Sequence, residues 1–484
     1  MPETTQDEYP TWLGMVFVFN LIIGTGALTL PAAFARSGWL GGTVMVILVG
    51  FVSYVTVTFV IEAMACANAI LHLRSILKRR VARDRSGASD SDSETAENVP
   101  LVGEDGAPFS LQSRVEMGEM ATIFFSGTGV AVFYLCLAIY LYGDLSIYAA
   151  AIGTSLKDVI CASNDTTDGA PCWPGYTMTR LDCYRLCVVG TGLLLGPFVF
   201  FNVQKTKYIQ ILTVIFRWCG KNIPKILIQK NITSFIFTAF TAMIAMAVAR
   251  LIQDGVQAHP PPLIPTGIPS LFGTCIYSFM CHHSLPSLLA PVREKRHLSW
   301  QLPLDFLLIG CFYLLLSLTG VLAFEHLDDL YTLNFLETPG GAFTRIVDYF
   351  LALFPVFTLS ASLPIVAITL KQNLEAILVA GRRTAFCRAL MPLLALVPAF
   401  AVTLLTSSVS GLVGFTGSYA GAGVQYLTPV ALVFCARRQV AMLLPSNPIN
   451  PHRSPFQSPK WLLLVLAWAA LGITLVTINF INDK

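Results

Sequence analysis

The sequence is short of charge. Only 12% of its 484 residues are Asp, Glu, Lys or Arg, while 55% are hydrophobic and mean hydropathy is +0.66. Soluble domains carry roughly 25% charged residues. A soluble enzyme or binding module is therefore excluded, and a polytopic membrane protein is expected. A signal-peptide pattern is also lacking. Met1 to Pro10 is polar and acidic, and the first apolar stretch is too long for a signal h-region. Nothing resembles an ATP-binding motif, so primary pumping is not expected. No metal-ligand cluster or nucleophile constellation points to an enzyme. The expected partners are the lipid bilayer and a small-molecule substrate, with no nucleic acid and no cofactor. The net charge of +3 says little about partners; where the positive charges fall says more.

What the chain has is apolar length. Eleven segments can span a bilayer: 12–35, 42–69, 129–153, 183–201, 207–252, 267–292, 302–325, 346–370, 386–407, 409–435 and 460–481. A spanning helix needs roughly 20 apolar residues. With the N-terminus cytoplasmic, the cytoplasmic connections hold Arg74, Lys78, Arg79, Arg80, Arg293, Lys295, Arg437 and Arg438, among others. The opposite side holds few, such as Lys157, Arg180 and Arg345. This is a positive-inside pattern. It supports an odd span count; with interruptions in the first and sixth spans, described below, the expected parts are a cytoplasmic N-terminus (1–11), a first five-helix unit (12–252), a second (253–435), and a cytoplasmic loop with an eleventh helix (436–484).

Three connections carry further expectations. Residues 70–115 turn from basic to acidic and serine-rich, the composition of a disordered loop. The loop at 154–182 lies on the non-cytoplasmic side and contains the glycosylation acceptor Asn164-Asp165-Thr166. Cys161 and Cys172 flank that acceptor and can form a disulfide, although Cys183 makes the count odd. Residues 219–234 place Lys221, Lys225 and Lys230 inside the fifth apolar segment. Charges at that depth are costly. The piece is either an intrusion into one span or an artefact of the gene model.

The first span contains Asn20-Leu-Ile-Ile-Gly24-Thr25-Gly26-Ala-Leu-Thr-Leu-Pro31. Glycine costs about 1 kcal/mol against alanine within a helix, and proline removes a donor. Small residues can also serve close packing. Taken together, these residues favour a helix that stops and restarts, which is tolerated at mid-membrane only where it is buried in protein or lines a cavity. The sixth span, Tyr277-Ser278-Phe279-Met280-Cys281-His282-His283-Ser284-Leu-Pro286, is interrupted in the corresponding place. Interruptions at matching positions of two halves point to a transporter's binding site.

These two stretches resemble the first and sixth helices of the amino acid/auxin permease family. Tyr142-Gly-Asp-Leu-Ser-Ile-Tyr148 and Phe201-Asn-Val-Gln-Lys-Thr-Lys-Tyr208 extend the resemblance to a branch of that family over nearly the whole chain. The resemblance implies an all-α polytopic membrane protein of LeuT-type fold, with a 5+5 inverted repeat plus an eleventh helix. It also implies secondary active transport of small or neutral amino acids coupled to Na⁺ or H⁺. A non-transporting sensor or scaffold with the same fold is the alternative.

A helix N-terminus suits a carboxylate, so Gly24, Thr25 and Gly26 are the expected carboxylate contacts. The ammonium is expected at carbonyls near Tyr277, Ser278 and Phe279, with Met280 and Cys281 setting selectivity. In the resemblance, Asn20 is a sodium ligand joined by eighth-span hydroxyls, here Ser360 and Ser362. Those serines can instead bond back to their own helix. The other coupling candidates are ionisable groups inside spans: Glu62, Asp144, Asp305, His282 and His283. The plasma membrane and endolysosomal membranes fit the loops equally well.

Overall fold

A computed structural model describes residues 8–85, 109–161, 167–200, 225–336, 342–378, 385–444 and 449–482. Apolar runs that leave water must bond their backbone internally, so they become helices. In chain order these are α1 (Thr11–Ile22), α2 (Thr25–Ser37), α3 (Trp39–Arg85), α4 (Met117–Phe124), α5 (Gly127–Ile160) and α6 (Arg180–Leu195). Next come α7 (Lys225–Asp254), α8 (Ile268–Ser278), α9 (Leu285–Leu289), α10 (Leu298–Ala323), α11 (Ala342–Ala352) and α12 (Phe354–Leu378). The chain continues through α13 (Ala385–Leu405), α14 (Val409–Thr416), α15 (Thr428–Leu443) and α16 (Pro459–Asn482). Between α14 and α15 the helix widens into π-helical turns, Gly417–Gly421 and Gly423–Leu427.

Among the described residues, eight helices are long and apolar enough to cross a membrane, and the α1–α2 pair brings the number to nine. That pair bends by 54° at its break. The sixth expected span is α8 and α9, each too short to cross alone. The stretch Leu390–Leu405 of α13 is apolar but shorter than the rest.

The two broken spans lie against each other. α2 packs along α8, α1 reaches α9, and α10 covers α1 and α2. Because first half meets second half, the two broken spans are antiparallel. The protein is thus an all-α polytopic bundle around an antiparallel broken pair, the central feature of the LeuT-type architecture. Two glycines let the bundle close here. A Cβ on Gly273 of α8 would meet Gly414 O at 2.1 Å, and one on Gly417 would meet Gly273 O at 2.0 Å. Real Cβ atoms do not approach that closely, so α8 and the π-helical stretch touch backbone to backbone. π-turns concentrate at functional sites.

The connections differ from the expectation in one place. The stretch 70–115 is not a loop throughout. Residues 70–85 continue α3, and Phe109 and Leu111 are buried beyond it. Asn68 Nδ2 ties this return down by donating to Ser110 O at 2.7 Å and Ser113 O at 3.1 Å. Residues 86–108 lie outside the described residues. In the stretch 219–234, residues 225–234 belong to α7 while 219–224 lie outside the description. Asn164 lies outside it as well. Cys161 and Cys172 are bonded, with Cα atoms 4.6 Å apart. Cys183 is a buried free thiol in the same cluster.

Candidate substrate site

The first break occupies two residues. Ile23 N still bonds Phe19 O at 2.9 Å, but its ψ of 87° leaves the helix. α2 restarts at Thr25 with Gly24 as its cap and no side chain capping it. The first amides of α2 therefore have no intrahelical partner, the usual state of a helix start. The two glycines have opposite tasks. A Cβ on Gly24 would meet nothing within 4 Å, so Gly24 borders open space. A Cβ on Gly26 would meet Ser278 Cα at 2.6 Å, so Gly26 lets α2 press on the end of α8.

The second break runs from Phe279 to Ser284. Its turn is held by Ser284 N and Leu285 N, both donating to Cys281 O. One side chain joins the two breaks. The Tyr313 hydroxyl on α10 lies 2.9 Å from Ile22 O and 2.8 Å from Ser278 O. Those carbonyls end α1 and α8, where helix ends carry partial negative charge. A phenol has one proton, so it donates to one carbonyl at a time.

A polar wall faces the breaks. Asp144 of α5 is buried and accepts from the Tyr277 hydroxyl of α8. Tyr140 and Tyr148, one turn to either side of Asp144, both face it, and Tyr148 also faces the Thr25 hydroxyl. The Tyr140 ring lies 6.3 Å from that of Tyr277 and 5.6 Å from that of His283. Expected separately as a coupling group and a substrate contact, Asp144 and Tyr277 are direct partners.

Other expected contacts point elsewhere. The Ser278 hydroxyl donates to Thr274 O of its own helix at 2.7 Å. Phe279 stacks on Phe306 and meets Tyr313 edge-on, inside the α8–α10 packing. Met280 faces the π-helical stretch at Gly421. Cys281 is fully buried with Asp305 nearby.

The expected ion ligands are likewise dispersed. Asn20 Nδ2 donates to Val16 O at 2.6 Å, leaving Oδ1 buried without a partner. The Ser362 hydroxyl donates to Thr358 O at 3.3 Å, back onto its own helix, and Ser360 is half-buried on that same helix. Glu62 is closed off. It receives Arg437 at 2.9 and 2.7 Å and Ser454 N at 3.0 Å. Asp305 keeps one buried oxygen without a partner. His282 Nε2 lies 2.8 Å from Thr56 Oγ1, and its Nδ1 is buried without a partner.

Both ends of the broken pair are fastened. At one, Arg36 of α2 meets Asp329 at 2.7 Å and Ser410 at 2.9 Å, and Asp329 also accepts from Ser408 and Ser410 N. Burial works against the Asp329 charge, but Arg36 and the Ser410 bonds outweigh it and hold its carboxyl below the ordinary range. At the other end, Tyr9 pairs with the segment after α9 through Tyr9 N to Pro291 O and Arg293 N to Tyr9 O. Thr11 adds a bond to Glu294 O, and Arg293 meets Glu8.

Sequence reasoning missed Tyr313 and Arg36. Tyr313 sits in an ordinary apolar run and Arg36 at a span end, so neither has a local signature.

Residues 9–69 match the family model described as transmembrane amino acid transporter protein. The chain is 45% identical to the transmembrane protein 104 homolog of Drosophila melanogaster, over 98% of this chain and 97% of that one. It is 44% identical to transmembrane protein 104 of Homo sapiens, over 99% and 98%. A crystal structure of the Eremococcus coleocola manganese transporter, in complex with an aromatic bis-isothiourea substituted compound, aligns over 99% of this chain and 98% of its own. Its TM-score is 0.43 and its identity 11%, a likeness that bears on neither substrate nor site.

Proposed function

The chain belongs to the transmembrane protein 104 family, and from that premise we propose that it is a secondary active transporter of small or neutral amino acids. The observation that carries this reading is the uncapped start of α2, open to space at Gly24 and linked from Thr25 through Tyr148 to the Asp144–Tyr277 pair, with a fastened closure at either end. Backbone amides at a helix start suit a carboxylate, and Gly24 leaves room for one. Alternating access then consists of releasing the Arg36 closure or the Tyr9 closure in turn while the site stays at the breaks.

Coupling to H⁺ or Na⁺ supplies the driving force. For H⁺, Asp144 and Asp305 are the carboxylates in this region; Glu62 already has Arg437. For Na⁺, the Asn20 oxygen is the free ligand, with Ser360 and Ser362 turned to their own helix or half-buried. The distribution of Lys and Arg supports a cytoplasmic N-terminus. The membrane is then the plasma membrane or an endolysosomal one, with a glycan on Asn164. The chemistry is transport rather than catalysis.

The test is uptake of labelled amino acids by proteoliposomes under imposed H⁺ or Na⁺ gradients. Gradient-driven accumulation supports transport. Saturable binding without accumulation supports the sensor instead.

A further inference from the structure

We infer that Asp144 is the ammonium subsite of the proposed substrate site, so the site admits small molecules that carry a free ammonium group. This rests on the transport reading and names the chemical class that the site selects.

Asp144 sits at the midpoint of α5, buried, with the Tyr277 hydroxyl as its hydrogen-bond donor. A carboxylate has about four lone-pair positions. One hydroxyl leaves most of them unserved. No Lys, Arg or His among the described residues forms an ion pair with it, whereas Glu62, on α3, has an arginine. Holding an unpaired charge inside a bundle costs several kcal/mol. A mobile cation from the substrate supplies what the fold omits.

The surroundings suit an organic cation. Tyr277 presents its hydroxyl to Asp144, and Tyr140 and Tyr148 lie within electrostatic reach of it, so among the described residues no basic side chain competes for the carboxylate. Two of the carbonyls that could otherwise receive the ammonium, Ile22 O and Ser278 O, already share the Tyr313 hydroxyl, which donates to one of them at a time. The carboxylate subsite is adjacent. Tyr148 lies within electrostatic reach of Asp144, and its hydroxyl meets that of Thr25 at the start of α2. In an α-amino acid the ammonium and the carboxylate hang from one carbon, so a small molecule reaches both. A carboxylate that binds ammonium cannot hold a proton at the same time. Any coupling proton is therefore assigned to a second group, Asp305, whose buried oxygen has no partner.

The test is ligand-induced thermal stabilisation of the purified full-length protein. The proteinogenic amino acids and simple primary amines are screened first. The strongest amino-acid stabiliser is then compared with its N-acetyl and carboxamide derivatives. N-acetylation should weaken binding by about tenfold or more, as expected for loss of a charge-assisted bond, while the carboxamide should lose less. Asp144→Asn should weaken the parent amino acid similarly without lowering the unliganded melting temperature. Tyr277→Phe should move it the same way by less. N-acetyl derivatives that bind as well as the parent overturn the inference, and so does a folded Asp144→Asn protein with unchanged affinity. If that variant fails to fold, the derivatives decide alone. Stabilisation by amines but by no amino acid keeps the subsite and overturns the proposed substrate. Stabilisation by neither overturns both.

Discussion

Glu62 and Asp144 are both buried carboxylates within membrane-spanning helices, yet their surroundings are opposite. Glu62 has a bidentate arginine and a backbone amide across the α3–α15 junction. Asp144 has a tyrosine hydroxyl and two further tyrosines within electrostatic reach, and no arginine or lysine among the described residues. The first is a finished structural joint. A fully served charge has nothing left to offer a ligand, and removing its partner leaves it uncompensated. The second is unfinished in the protein alone, which is what a binding site for a charged substrate requires. The distinction lies in the partners and not in the residue type, since both are buried acids within apolar helices.

This contrast can be broken in four ways. Gly24→Leu should have the largest effect on function, because its side chain fills the open space at the start of α2. Amino-acid uptake should fall to background while surface expression and melting temperature stay near wild type. Retained uptake would put the substrate elsewhere. Arg437→Ala should have the largest effect on stability, because it strands Glu62 at 3% side-chain exposure. Breaking such a buried pair costs roughly 3–5 kcal/mol, measurable by denaturation in detergent. A variant as stable as wild type would show that Glu62 is not a structural joint. Tyr313→Phe keeps the ring and removes the hydroxyl shared by Ile22 O and Ser278 O. About 1 kcal/mol of stability should be lost, with a larger loss of substrate affinity as the two breaks separate. An affinity unchanged beside a lowered melting point would reduce Tyr313 to packing. Asp329→Asn should matter least. The ion pair is partly exposed, with Arg36 at 50%, so about 0–1 kcal/mol is expected. Because the folded carboxyl is held below its ordinary range, that contribution is full at neutral pH. It fades only as pH falls through the carboxylate range. A melting-temperature difference between wild type and Asp329→Asn that grows toward low pH would contradict this sign.

Much of the bundle was legible in the sequence because membrane helices announce themselves by length and apolarity. Gly24 and Gly26 announced the first break for the same reason: glycine in an apolar span is costly without a purpose. Their separate duties were not legible. Only the packing of Gly26 onto Ser278 tells one glycine from the other. The site was half legible. Asp144 and Tyr277 stood out as polar groups at membrane depth, but their pairing spans 133 residues and depends on how α5 meets α8. Glu62 stood out equally. Only the return of the chain to Arg437 and Ser454 shows that its charge is settled. Tyr313 was invisible, because its role comes from two carbonyls brought together by the fold. The stretch 70–115 looked like disordered loop by composition, yet Phe109 and Leu111 find a core that composition does not reveal.

The most direct measurement is cryo-electron microscopy of the full-length protein with the amino acid that stabilises it most. The account predicts ligand density bounded by Gly24, Thr25 and Tyr277, with its ammonium against Asp144. Density elsewhere in the bundle, or a ligand at the breaks with its amine turned away from Asp144, would contradict it.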